Sequence, residues 1–116
     1  MAATGHRRID ERSRALHRAI AEKLSRQPDL LQRARENLDR WMASGGSAMP
    51  YWRTWQQILD RPLPEILKLL VEDSEQMTAL RQSSPFAGIL TPRERWRIYE
   101  AFGSRAHHSG SRDHRG

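Results

Sequence analysis

Three breaks cut this chain into pieces suited to short helices packed on one another. Gln27-Pro28-Asp29, Ser44-Gly45-Gly46-Ser47 and Asp60-Arg61-Pro62-Leu63-Pro64 each interrupt an apolar pattern of helical period. Proline pushes the residue before it out of helical space, and glycine tolerates the positive φ at which helices stop. Ahead of the first break, Ile9, Leu16, Ile20 and Leu24 recur at spacings of seven and four, beside Ala15 and Ala19. That is one stripe of an amphipathic helix ending near Arg26. Pro28 suits the first position of the next helix, whose stripe is Leu31, Ala34, Leu38, Trp41 and Met42. A third helix begins at Pro50 and carries Trp52, Trp55, Ile58 and Leu59. Ile66, Leu67, Leu70 and Val71 form the most hydrophobic run and predict a central fourth helix.

Glu72-Asp73-Ser74 offers a cap for a further turn or two with Met77 and Leu80. The pattern leaves open whether residues 62–83 form one kinked helix or two. The last helix is marked three ways: Thr91 as cap, Pro92 at the first helical position, and Glu94 three residues after the cap as its reciprocal partner. Its apolar contribution reads as Trp96, Tyr99 and Phe102. No segment alternates as a strand would. The expected fold is all-α, a single compact bundle of five or six short helices over residues 9–102, between a disordered start at 1–8 and a disordered, basic, histidine-bearing tail at 103–116.

Composition narrows the chemistry. Without cysteine there is no disulfide, thiolate metal site or cysteine nucleophile. No run approaches the roughly 20 apolar residues that cross a bilayer, and Met1 to Arg8 has no apolar core for a secretory signal. A soluble, cytoplasmic protein without a membrane partner is expected. The 20 Lys and Arg against 14 Asp and Glu give +6, which favours acidic partners. The charge is uneven: residues 1–45 hold ten basic and six acidic residues, whereas 60–75 hold five acidic and two basic.

A search for catalytic groups returns little. His107, His108 and His114 sit in the tail and do not make a converging metal set, so no metal or cofactor is expected. His17 reads as a surface or boundary residue of the first helix. Ser83 and Ser84 lack a Gly-x-Ser-x-Gly turn, a Ser-x-x-Lys pair and an evident histidine partner, and Gly45-Gly46 lacks the Gly-Lys-Ser/Thr of a phosphate loop. The expectation is a protein that is not an enzyme.

Arg93, Arg95 and Arg97 raise nucleic-acid binding, but a helix-turn-helix joins its helices by about three or four residues. Here the longer link Ser84–Leu90 contains Pro85 and Phe86. The tryptophans lie on apolar stripes and read as core. The link itself is unusual. Phe86, Ile89 and Leu90 are apolar among turn formers and must fold back on the core or meet a partner. The reading that joins both has Phe86 buried while Arg81, Gln82, Ser83 and Ser84 face outward.

Leu16-His17-Arg18, Ala34-Arg35-Glu36-Asn37-Leu38 followed by Trp41, and above all Leu80-Arg81-Gln82-Ser83-Ser84-Pro85-Phe86-Ala87-Gly88 with Arg93-Glu94-Arg95-Trp96 together resemble a family of small, largely uncharacterised bacterial proteins. The resemblance spans residues 10–102. It implies the antitoxin partner of a bacterial toxin; the loop and the face of the last helix, read from the residues themselves, place protein binding at Arg81, Gln82, Ser83, Ser84, Phe86, Arg93 and Arg97. The chain lacks the strand-forming start of ribbon-helix-helix antitoxins and the Ser-x-x-x-Glu-Gly/Asn helix that accompanies adenylylating toxins, so the resemblance implies no particular toxin. The alternative from another class is a DNA- or RNA-binding regulator that uses the basic N-terminal half with Arg93, Arg95 and Arg97; a third is a scaffolding subunit of a larger enzyme.

Overall fold

The computed structural model describes the backbone of residues 2–107 and the side chains of residues 11–101. Within them the chain is all-α: α1 (Ala2–Arg26), a 3-10 turn (Pro28–Leu30), α2 (Leu31–Ser44), α3 (Met49–Leu59), α4 (Leu63–Leu70), α5 (Glu75–Arg81) and α6 (Pro92–His107). Helical backbone reaches further than 9–102 at both ends, through residues 2–8 and 103–107, which the sequence reads as disordered. The rest of the tail lies outside the described residues.

The breaks act as expected. Pro28 opens the 3-10 turn that leads into α2, and Gly45 takes φ 76° as the cap of α2, its N–H donating to Trp41 O. Residues 62–83 make two helices. Ser74 settles the question, because its hydroxyl accepts the Met77 N–H at 3.2 Å and starts α5. The end of α4 is closed by two guanidinium groups: Arg81 donates to Leu70 O and Glu72 O at 3.2 and 2.9 Å, and Arg14 to Val71 O at 3.1 Å. Cations suit these terminal carbonyls, which lack partners within the helix and carry its negative pole.

α1 packs along α4 and also touches α5 and α6, while α2 pairs with α3. The core they enclose holds Leu24, Leu38, Trp55, Leu59, Ile66, Leu70 and, from the link before α6, Phe86, Ile89 and Leu90. Trp55 is fully buried and satisfies its indole N–H on Leu80 O at 2.9 Å, as a tryptophan in a core requires.

α6 is where the apolar reading needs correction. Trp96 is 62% exposed and Tyr99 is also on the surface, whereas Ile98 packs against the core. The orientation is fixed by Glu94, whose carboxylate receives Lys23 Nζ of α1 at 2.7 Å. Glu94 and Ile98, four apart, share the side that faces α1, and Trp96 between them is turned away. The capping box forms as read: Thr91 N–H donates to Glu94 Oε1 at 2.8 Å, and Glu94 N–H to Thr91 Oγ1 at 3.1 Å. Thr91→Ala should therefore lower stability by about 1 kcal/mol. Urea denaturation checks this, and an unchanged midpoint would mean that Ile98 packing and Lys23 alone hold α6.

Candidate partner-binding surface

Residues 82–91 have no helix or ladder of their own, so their carbonyls must find donors elsewhere. Side chains from α2 supply several of them. Asn37 spends both hydrogens of its amide on the link, donating to Pro85 O at 2.8 Å and Ala87 O at 3.0 Å, while its Oδ1 accepts from Arg40 at 2.6 Å. Arg33 donates to Gly88 O at 3.1 Å. Gly88 takes φ 87° in the turn closed by Ile89 N–H on Phe86 O at 3.2 Å, a backbone state that a side chain would strain. Beneath this, the Phe86 ring meets Trp55 edge-on, with centroids 5.5 Å apart.

His17 completes the clamp and corrects two readings. It is 5% exposed rather than at the surface, and its Nε2 lies 2.8 Å from Ser84 Oγ, so one of the paired serines does have a histidine partner. Nδ1 lies 2.8 Å from Ser13 O, which can only accept. The ring hydrogen therefore sits on Nδ1, and Nε2 accepts the Ser84 hydroxyl. Ser84 Oγ in turn accepts the Phe86 N–H at 3.3 Å. Burial is the main cause that pushes the imidazole pKa down to about 4; the Ser13 bond works against this and the nearby Arg81 charge adds to it. A shallow crevice of about 190 Å³ beside the pair is lined by Arg95 and Tyr99 and by no carboxylate. A serine–histidine pair is the start of a nucleophile, but here a backbone carbonyl orients the ring and its basicity at neutral pH is small.

Three segments far apart in the sequence, around His17, Asn37 and Ser84–Pro85, thus meet at one place, through His17–Ser84 and Asn37–Pro85. Arg81 and Phe86, both expected at a partner surface, do not lie on it. Each is 3% exposed. The Arg81 guanidinium turns inward to the end of α4, where carbonyls outcompete water for it, and Phe86 is an anchor of the core. Gln82 is exposed, and Ser83 and Ser84 are half-buried.

Those three residues line an open depression of about 350 Å³ whose other wall is aromatic. Trp41 from α2 and Trp52 from α3 stand there with ring centroids 5.7 Å apart and planes inclined by 40°. Both sit at the edges of their helical stripes, so periodicity alone reads them as core. Arg93 and Arg97 lie elsewhere, exposed on α6 around Trp96. Arg95 belongs to the His17 crevice instead of their face. The expected partner-binding set is therefore divided between two surfaces.

Four basic residues of the N-terminal half are committed to internal work. Arg14, Arg33 and Arg35 donate to the carbonyls of Val71, Gly88 and Leu59, and Lys23 pairs with Glu94. Among the described residues no three His, Asp or Glu side chains converge as metal ligands, and the tail histidines are outside them. No family model, curated protein or solved structure matches the chain.

Proposed function

We propose that this chain is a non-catalytic protein-binding module, the antitoxin half of a bacterial toxin–antitoxin pair that acts by covering its partner's surface. The observation that carries the reading is the depression walled by Trp41 and Trp52 and floored by Gln82 and Ser83. Tryptophan beside polar groups is the composition of interface hot spots. The clamp on residues 82–91 supports the same reading, since a segment already fixed loses little freedom on binding. The Ser84 hydroxyl is occupied on both sides, by His17 and by Phe86 N–H, which fits a structural tie better than a nucleophile.

Co-expression with the product of the neighbouring gene tests the proposal. The two should co-purify, this chain should relieve the neighbour's toxicity, and Trp52→Ala should weaken the complex about thirtyfold, which is about 2 kcal/mol, as loss of a hot spot does. Absence of both co-purification and relief would end the antitoxin reading. Labelling of Ser84 by a fluorophosphonate, lost in Ser84→Ala, would overturn its non-catalytic part.

A further inference from the structure

No charged side chain lines the Trp41–Trp52 depression among the described residues, although 29% of the chain is charged. Besides the two tryptophans its walls are serines, Ala48 and Gln82. Arg40 and Arg53 adjoin the tryptophans in sequence, yet neither lines it, and Arg40 turns to Asn37 Oδ1 at 2.6 Å. What such a pocket recognises is therefore set by its backbone dipoles and its rings.

The dipoles favour a cation. α2 ends at Ser44, which lines the depression, so the negative pole of that helix faces it. The last four carbonyls of a helix have no partner inside it. Gly45 N–H takes Trp41 O at 3.1 Å, and those of Met42, Ala43 and Ser44 are left to groups beyond the helix. α5 ends at Arg81, so Gln82 and Ser83 bring a second such end to the opposite wall. α3 starts here with the reverse polarity, but its donors are spent. Met49 N–H is bonded to Gly46 O, Tyr51 and Trp52 N–H are bonded to Ala48 O, and Pro50 has none. An anion would find no open amide at that helix start.

The rings add the same preference. Trp41 and Trp52 are half-buried, and the 40° between their planes keeps them from stacking flat on each other. An indole face is electron-rich and is the best of the aromatic side chains at holding a cation. A guanidinium group suits both features. It is planar, weakly hydrated, able to stack on an aromatic face and still direct its N–H groups sideways to carbonyls.

We infer that the bound partner places an arginine side chain in this depression, its guanidinium against the Trp41 and Trp52 indoles and its N–H groups towards the carbonyls that end α2. The inference rests on the protein-binding reading above and names what the surface receives.

Titration of the full chain with N-acetylarginine amide, followed by NMR of the indole N–H signals, tests it without any partner. The Trp41 and Trp52 signals should shift and saturate while those of Trp55 and Trp96 stay in place. The citrulline derivative, which has the same shape and no charge, should bind at least about fivefold more weakly, and N-acetylglutamate amide should not bind. Trp52→Ala should abolish the shifts and Trp52→Phe should leave a weakened site. The comparison of arginine with citrulline is made on the parent protein, so it holds whether or not the Trp52 variants fold. Equal binding of the two, or no saturable shift at Trp41 and Trp52, would refute the inference, and tighter binding of N-acetylproline amide would replace arginine with a proline-rich segment. A failed titration beside a complex that Trp52→Ala weakens would remove the arginine and keep the protein-binding module. Arginine binding without co-purification would keep this site and end the antitoxin reading.

Discussion

Arg81→Ala should be among the most damaging single substitutions in this protein, with a loss of about 3 kcal/mol in unfolding free energy. The guanidinium is 3% exposed and holds Leu70 O and Glu72 O, two carbonyls that the end of α4 leaves without helical partners. Bonds from a charged donor to buried acceptors each contribute about 1.5–3 kcal/mol, and the acceptors stay behind when the donor goes. Arg81 also reaches Thr78 Oγ1 within its own helix at 3.5 Å, and since Arg81 belongs to α5, its bonds to Leu70 O and Glu72 O tie that helix to the end of α4. Arg81→Met separates the contributions: it fills the volume yet supplies no hydrogen, and should remain almost as unstable as alanine. Arg81→Lys should recover part of the loss, since one ammonium can reach a carbonyl but cannot reproduce the fork. Urea denaturation should show the midpoint falling by more than about 1 M for Arg81→Ala. A change within about 0.5 kcal/mol, the range of ordinary surface substitutions, would return Arg81 to the partner surface where its sequence context places it.

That contrast shows what the residue order conveys and what it withholds. The helices were legible because their signals are local: Pro28, Gly45 and the Thr91–Glu94 box act within a turn of themselves. The burial of Phe86, Ile89 and Leu90 was also legible, since three apolar residues among turn formers have few other places to go. The polar clamp was not. His17 meets Ser84 across 67 positions and Asn37 meets Pro85 across 48, and no local pattern distinguishes a buried asparagine that holds a loop from an exposed one on a helix. One usable signal existed: Asn37 falls between Ala34, Leu38 and Trp41 on the apolar stripe of α2, where a polar residue must find partners. Arginine misled for a related reason. A count of charge treats all guanidinium groups as surface, whereas Arg14, Arg33, Arg35 and Arg81 are spent on backbone carbonyls. The net charge overstates what is free to attract a partner. Trp96 was misassigned because Glu94 and Ile98, by docking on α1, set the rotation of α6.

Acid should loosen the clamp before it titrates the ordinary carboxylates. An imidazole in the unfolded chain has its pKa near 6.5, and in the fold His17 is held down to about 4 by burial, with the Arg81 charge adding to the effect. The sign follows from proton uptake. Above pH 6.5 the ring is neutral in both states and its stabilising contribution is complete. As pH falls from 6.5 towards 4, the unfolded chain takes up a proton that the folded one resists, so stability declines. Below about 4 both forms are protonated and the loss is fully incurred, about 3 kcal/mol for a gap of this size. In a domain of this length that corresponds to a fall in melting temperature of roughly 10–20 °C. Glu94, also held below the usual carboxylate range by Lys23 and Thr91, adds its own loss only at more acid pH, below 4.5. The window from 6.5 to 4.5 therefore reports chiefly on the imidazole. His17→Gln isolates it, because an amide offers a neutral acceptor to Ser84 and cannot be charged. That variant should begin less stable at pH 7 and then hold its melting temperature through the window in which the parent falls. A parallel decline in both proteins would show that the folded ring accepts its proton freely, and that the contact between Nε2 and the Ser84 hydroxyl is not what keeps residues 82–91 in place.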